Sequence, residues 1–371
     1  MKSPANITPV LMPKWGLSMT EGLLSDWLVE EGTSISIGDE IMEVETDKIA
    51  SAVEATDAGV LRRCVAVAGE TYPVQALMGV LAAEEVDDAE IDAFIDAYEV
   101  PQAEDDGDAE ASQYEFVETS VGRIRYALRG DEGPVVVLIH GFGGDLDNWL
   151  FNIDALAEKT RVYAIDLPGH GQSIKQIEDP GLSGLANAVR AFMSTVEIDS
   201  AHLVGHSMGA AVAATVVSET PDLVQSLSLV SAAGLGVEIN SAYIDGFVAA
   251  VSRRELKPVL LNLFADPSLV SRAMVDEVLK YKRLDGVGDA LTHLASNLFV
   301  DGRQKTILAE QISDLGVRTL VVWGSEDQVI PASHAKNMKS AKVEVIEGAG
   351  HMVQMEKASR VNHLILAHIL G

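Results

Sequence analysis

The segment Ala201-His202-Leu203-Val204-Gly205-His206-Ser207-Met208-Gly209-Ala210-Ala211-Val212-Ala213-Ala214 decides how the larger part of this chain is read. The run ending at Val204 reads as a strand, and the Ala-rich stretch from about Met208 reads as a helix. Between them lies G-x-S-x-G. Its glycines permit a sharp turn with close backbone approach, which leaves the Ser207 hydroxyl exposed at the strand end. A lone match of this length arises often by chance. In a strand–turn–helix setting it makes Ser207 the expected nucleophile.

Working outward, apolar runs at 135–139, 162–165, 227–230 and 319–323, with a shorter one at 343–346, alternate with longer helical stretches from residue 116 onward. Continuous apolar runs suit strands buried on both faces, and strand–helix alternation predicts a doubly wound α/β sheet. A serine hydroxyl needs a base, and the base needs an orienting carboxylate. His351, in Gly348-Ala349-Gly350-His351-Met352, and Asp327, in Trp323-Gly324-Ser325-Glu326-Asp327, each follow a strand directly. His170, in Pro168-Gly169-His170-Gly171, fits a turn better, and His363 and His368 read as packing or surface residues of the last helix.

Residues 116–371 resemble the α/β-hydrolase superfamily over their full length, and the order Ser207, Asp327, His351 is the one that fold requires. The resemblance makes Asp327, rather than its neighbour Glu326, the acid. It assigns the loop His140-Gly141-Phe142-Gly143-Gly144 to oxyanion stabilisation, with the backbone N–H groups of Phe142 and Met208 as the donors. It also implies a helical cap over about 236–310. Trp149 and the cap are candidates for contacts with coenzyme A because they lie near the expected site.

Residues 1–84 read differently. Short β-rich runs are separated by Gly and acidic turns, and the segment repeats at an offset of 37: Gly22, Leu24, Gly32 and Ile37 align with Gly59, Leu61, Gly69 and Val74. Two similar halves of about four strands each predict a small sandwich or flattened barrel. The runs 24–29 and 60–67 are the expected equivalent strands, and the paired glycines are expected in turns needing positive φ. Between the halves, two alternating strands flank Asp47-Lys48, where a tight turn would present one lysine. Met12-Pro13-Lys14-Trp15-Gly16-Leu17-Ser18-Met19-Thr20-Glu21-Gly22, Glu31-Gly32, Gly38-Asp39 and Glu45-Thr46-Asp47-Lys48 resemble the lipoyl domains of 2-oxoacid and acetoin dehydrogenase complexes. Related biotinyl domains usually place Met on both sides of the lysine; Asp47 and Ile49 favour lipoate. The resemblance implies an amide-linked lipoyl cofactor on Lys48.

The two parts are joined by an acidic linker with a short amphipathic helix, at 85–115. Residues 87–115 hold 12 acidic and no basic residues, more net charge than either flank. Such a block reads as a solvated connector. Within it, Ile91, Phe94, Ile95 and Tyr98 form one helical stripe. That stripe suits a helix packed on its own domain or one that docks a partner subunit. A basic subunit-binding domain, usual at this point in related acyltransferases, is not recognisable.

A carrier fused to a serine acyl-transfer site resembles the acetyltransferase subunits of acetoin dehydrogenase complexes. That family implies transfer of an acetyl group from lipoate to coenzyme A. It implies a thiamine-diphosphate-dependent enzyme and the flavoprotein dihydrolipoyl dehydrogenase as partners. The His-x-x-x-Asp-Gly motif of ordinary acyltransferase subunits is absent, so the hydrolase domain must replace that catalytic domain. Two other readings compete: a thioesterase using water, and a carrier whose hydrolase-like domain is inert.

Composition bounds the rest. One cysteine, Cys64, excludes a disulfide framework, and a reducing, cytoplasmic setting is expected. The first residues contain no apolar run of signal-peptide length. A net charge of −29 disfavours nucleic acid and anionic membranes. No metal is expected, and a homo-oligomer is compatible with the sequence.

Overall fold

A computed structural model describes residues 7–15, 19–46, 50–100 and 114–371, in two compact units divided between Gln113 and Tyr114. Asp47, Lys48, Ile49 and the acidic stretch 101–113 lie outside the described residues.

The first unit is a sandwich of two four-stranded antiparallel sheets. One sheet joins the strands Ile7–Leu11, Leu77–Ala82, Gly59–Cys64 and Ser34–Ile35 in that spatial order. The other joins Ala50–Glu54, Glu40–Glu45, Glu21–Trp27 and Thr71–Pro73. The offset of 37 maps Glu21–Trp27 onto Gly59–Cys64, Ser34–Ile35 onto Thr71–Pro73 and Glu40–Glu45 onto Leu77–Ala82. The hydrogen bonds repeat as well. Gly32 N–H donates to the Leu61 carbonyl at 2.7 Å, and Gly69 N–H donates to the Leu24 carbonyl at 2.7 Å. Leu24 and Leu61 are both buried in the shared core.

The glycine expectation holds for only one pair. Gly32 and Gly69 have φ of +90° and +88° and lie in turns. Gly22 and Gly59 lie within strands and have no positive φ. They are needed for close approach: a Cβ on Gly22 would stand 2.8 Å from Val44 Cγ1, and one on Gly59 would stand 3.2 Å from Leu81 Cβ.

The strands Glu40–Glu45 and Ala50–Glu54 pair antiparallel down to Glu45↔Ala50, so the connection 46–49 holds Lys48. The helix expected in the acidic segment spans Asp88–Asp96 and packs on its own domain. Ile91 is fully buried with Ile7, Leu77, Val80, Ala82 and Val86, while Phe94, Ile95 and Tyr98 pack around them. Arg62 pairs with Asp88 at 2.8 Å, and Tyr98 donates to the Gln75 carbonyl at 2.7 Å. The apolar stripe is therefore consumed internally.

The second unit is an eight-stranded sheet. Its spatial order is Lys342–Ile346, Thr319–Gly324, Val224–Val230, Ala201–His206, Val135–Ile139, Arg161–Ile165, Gly122–Arg129 and Glu115–Thr119. The first six are parallel, and the last two add antiparallel. Helices Leu182–Thr195, Met208–Glu219 and Ala358–Leu370 flank the sheet. The antiparallel pair at 115–129 was not among the expected strands. Between Val224–Val230 and Thr319–Gly324 run four helices, Ser241–Ala249, Arg253–Leu260, Arg272–Lys282 and Val287–Leu298, which form the cap. Ala309–Leu315 instead reaches the flanking helix Met208–Glu219, with Gln311 hydrogen bonded to Ser218.

Candidate active site

Ser207 sits between the strand Ala201–His206 and the helix Met208–Glu219, with φ 53° and ψ −117°. A non-glycine residue in this region is strained by about 1–3 kcal/mol and persists only where its surroundings fix it. Its N–H donates to the Val230 carbonyl at 2.9 Å, and its carbonyl accepts from the N–H groups of Ala210 and Ala233, each at 3.0 Å. The motif's glycines follow from the same turn. A Cβ on Gly205 would stand 2.4 Å from the Gly209 carbonyl oxygen, and one on Gly209 would stand 2.3 Å from the carbonyl oxygens of Ile139 and His140. Strand, turn and helix touch backbone to backbone, and no larger residue fits.

His351 and Asp327, 24 residues apart in sequence, meet at 2.8 Å between Nδ1 and Oδ2. Both are buried. Asp327 Oδ1 also accepts from the N–H groups of Val329 and Ile330, at 2.8 and 2.9 Å, and Oδ2 accepts from Trp323 Nε1 at 2.9 Å. Two donors on each oxygen fill the acceptor sites of a carboxylate. The carboxylate therefore holds a hydrogen on His351 Nδ1, which leaves Nε2 as the ring's free lone pair. Glu326, the neighbouring carboxylate, makes no such contact; its N–H donates to the Ala349 carbonyl.

The loop carrying His351 is held from two sides. Gly350 N–H donates to Glu356 Oε2 at 2.6 Å, and the other Glu356 oxygen accepts from the N–H of Ala265 in the cap at 2.7 Å. His206 Nε2 lies 3.0 Å from the His351 carbonyl oxygen, so it carries the hydrogen and donates. Burial holds the His206 imidazole far below its ordinary range, and the ring stays neutral.

The N–H groups of Phe142 and Met208 donate to no other group among the described residues. Met208 opens a helix, where unsatisfied N–H groups and the helix dipole favour negative charge. Phe142 follows Gly141, whose added Cβ would stand 3.1 Å from Ser207 Cβ. His140 fixes the base of this loop: Nδ1 faces the Gly141 carbonyl at 2.8 Å, and Nε2 accepts from Leu167 N–H at 3.0 Å. Burial lowers its pKa to about 4. His170 is buried against His140, its Nδ1 facing the Pro168 carbonyl within the same turn, as its sequence setting suggested.

Ser207, His351, His206, Phe142 and the glycines 141, 143 and 144 line one cavity of about 100 Å³, roofed by cap residues including Tyr243, Phe247, Leu260, Phe264 and Met274. Gly143 takes φ +73° beneath Phe247, whose ring would stand 2.3 Å from an added Cβ. Trp149 is not part of this cavity. It is fully buried beneath the loop in a short helix, Leu146–Trp149, so the sequence expectation for it is corrected. Trp323, Glu356, His206 and Tyr243 were not anticipated. Trp323 and Glu356 hold the loops of Asp327 and His351 from a few residues away, and His206 does so from across the fold.

Residues 134–358 match the family described as alpha/beta hydrolase fold, and residues 8–81 match that described as biotin-requiring enzyme. The dihydrolipoyllysine-residue acetyltransferase component of the acetoin cleaving system from Cupriavidus necator is 53% identical, over 98% of this chain and 98% of its own. The component of the same name from Pseudomonas putida is 48% identical, over 98% of this chain and 99% of its own. Among solved structures, the meta-cleavage product hydrolase of Pseudomonas fluorescens superimposes with a TM-score of 0.63 at 25% identity, covering 68% of this chain and 96% of that one. Among the described residues, no helix is long and apolar enough to cross a membrane.

Proposed function

Because this chain belongs to the family of dihydrolipoyllysine-residue acetyltransferase components of acetoin cleaving systems, we propose that it carries an acetyl group on a lipoylated Lys48 and passes it to coenzyme A through Ser207, His351 and Asp327. The observation that carries this reading is the joining, in one chain, of a biotin/lipoyl-type domain to a cavity where a strained serine meets a buried histidine–carboxylate pair. A four-residue connection between paired strands suits the attachment of a long arm at Lys48. When attached, the lipoyl group supplies a dithiol that holds the acetyl group as a thioester.

In the second domain Ser207 Oγ attacks the carbonyl carbon of the acetyl thioester while His351 Nε2 takes the hydroxyl proton. Asp327 stabilises the imidazolium that forms. The Phe142 and Met208 N–H groups receive the oxyanion. As the C–S bond breaks, His351 returns the proton to the departing sulfur, leaving acetyl-Ser207. The coenzyme A thiol then gives its proton to His351 and attacks this ester, and the proton returns to Ser207 as the C–O bond breaks. A thiamine-diphosphate-dependent enzyme would supply the acetyl group, and the flavoprotein dihydrolipoyl dehydrogenase would reoxidise the arm, in the cytoplasm.

The lipoylated chain is incubated with an acetyl donor, with and without coenzyme A, and the products are identified. Acetyl-CoA that forms only with added coenzyme A is expected. Free acetate at the same rate in both arms would make the domain a thioesterase instead. Asp327→Asn should lower kcat by about 10³- to 10⁴-fold, because an amide no longer fixes the Nδ1–H tautomer of His351. Steady-state kinetics with free S-acetyldihydrolipoamide read this directly.

A further inference from the structure

Tyr243 is a cap residue that the steps above leave unused. It lies on the helix Ser241–Ala249, is 5% exposed, and lines the cavity that holds Ser207 and His351. Among the described residues, outside its own helix Tyr243 bonds only through its backbone N–H, which leaves the hydroxyl to the cavity it lines. The rest of the cap wall is apolar: Ile239, Ile244, Phe247, Leu260, Phe264 and Met274. A lone donor in such a wall fixes the orientation of a bound polar atom.

The backbone sets the side of the cavity on which Tyr243 stands. Asn240, which caps its helix, accepts from Tyr243 N–H at 3.1 Å. The same side chain donates to the Gln328 carbonyl at 2.9 Å, and Asn240 N–H donates to the Val329 carbonyl at 2.9 Å. Gln328 and Val329 form the turn that grips Asp327, with Val329 N–H on Asp327 Oδ1. Tyr243 is thus fastened to the acid and base side of the site. Burial, reinforced by the negative charge of Asp327, raises the Tyr243 pKa, so the phenol keeps its proton and serves as a donor.

Three parts of the acetyl thioester could meet a donor. The carbonyl oxygen is taken by the Phe142 and Met208 N–H groups, and the methyl group accepts nothing. The sulfur remains, and it must face His351, which exchanges a proton with it. We propose that Tyr243 is a further catalytic residue, whose hydroxyl donates a hydrogen bond to the thiol sulfur as it departs from the acetyl group and again as the coenzyme A sulfur enters. No proton changes hands; the contact stabilises thiolate character in both transition states. It presupposes Ser207 as the nucleophile, and the test separates the two.

Tyr243→Phe removes one oxygen and keeps the ring that packs near Phe247. Acylation of Ser207 is followed with S-acetyldihydrolipoamide and with p-nitrophenyl acetate, whose nitrophenolate spreads its charge into the ring and leaves with little need of a donor. The ratio of the two rates should fall about 10- to 100-fold in Tyr243→Phe, the worth of a hydrogen bond to a charged group. Deacylation by coenzyme A should slow relative to deacylation by water. An unchanged ratio would overturn the proposal, including a uniform loss on both esters from a disturbed fold. So would a selective loss of acetate release, which would make Tyr243 a water-holding group. Loss of acylation in the Ser207→Ala variant on both esters checks the nucleophile independently, and its failure would not resemble any of these outcomes.

Discussion

Ser207→Ala should abolish acetyl-CoA formation from S-acetyldihydrolipoamide, with kcat falling by about 10⁴-fold or more. Alanine removes the only atom that bonds covalently to the acetyl group, while the Phe142 and Met208 N–H groups and the cavity remain. Binding of the thioester should therefore persist with KM changed little. A fluorophosphonate probe should label the parent chain and not the variant, and acid-quenched parent enzyme should carry an acetyl ester in the peptide that contains residue 207. Acetyl-CoA formed by the variant at the parent rate would mean that coenzyme A attacks the thioester directly. The serine is further constrained by its own backbone. Its φ of 53° places alanine in the same strained region, so a lower melting temperature is not expected, and loss of activity reads chemistry rather than unfolding.

Lys48→Arg should have an equally large effect, and on a different assay. Arginine keeps the charge but cannot form the lipoyl amide, so the intact mass of chain expressed with a lipoylating enzyme should lack the lipoyl increment. Flux through the reconstituted acetoin cleaving system should fall to background. Turnover of free S-acetyldihydrolipoamide by the same variant should continue, because the serine site lies in a separate folded unit. The loss has a simple magnitude. A tethered arm holds its cargo at an effective concentration of about millimolar, which a free carrier at micromolar concentration does not reach. Lipoylation of the variant, or undiminished system flux without it, would remove Lys48 from the mechanism.

The residues of the serine site were legible because each sits in a local pattern with a mechanical reason. Gly205 and Gly209 mark the turn that exposes Ser207, and Asp327 and His351 each follow an apolar strand. The opposite holds for the antiparallel pair Glu115–Thr119 and Gly122–Arg129. There Arg125, 4% exposed, points inward to Asp166 at 2.6 Å, and a buried charge in mid-strand disguises the pattern. Tyr243 and Glu356 were invisible for another reason. Tyr243 is placed through Asn240, which bonds to Gln328 and Val329 across the fold, and Glu356 ties Gly350 to Ala265 of the cap; an amphipathic cap helix looks alike whatever it covers. The repeat of the first domain was legible, but the reason for Gly22 and Gly59 was not. A close approach to the side chain of a neighbouring strand is invisible until the strands of each sheet are placed.

That repeat has one more consequence. Under its two-fold relation the pair Glu45↔Ala50 corresponds to the pair Ile7↔Ala82. The chain's entry and exit therefore occupy the position where a second carrier hairpin would stand, in the sheet that does not hold Lys48. The helix Asp88–Asp96 packs at that same end, on Ile7 and Ala82. Anchor and cargo thus stand at equivalent positions of the two sheets, so the strands that lead to the connector and those that flank Lys48 share no sheet.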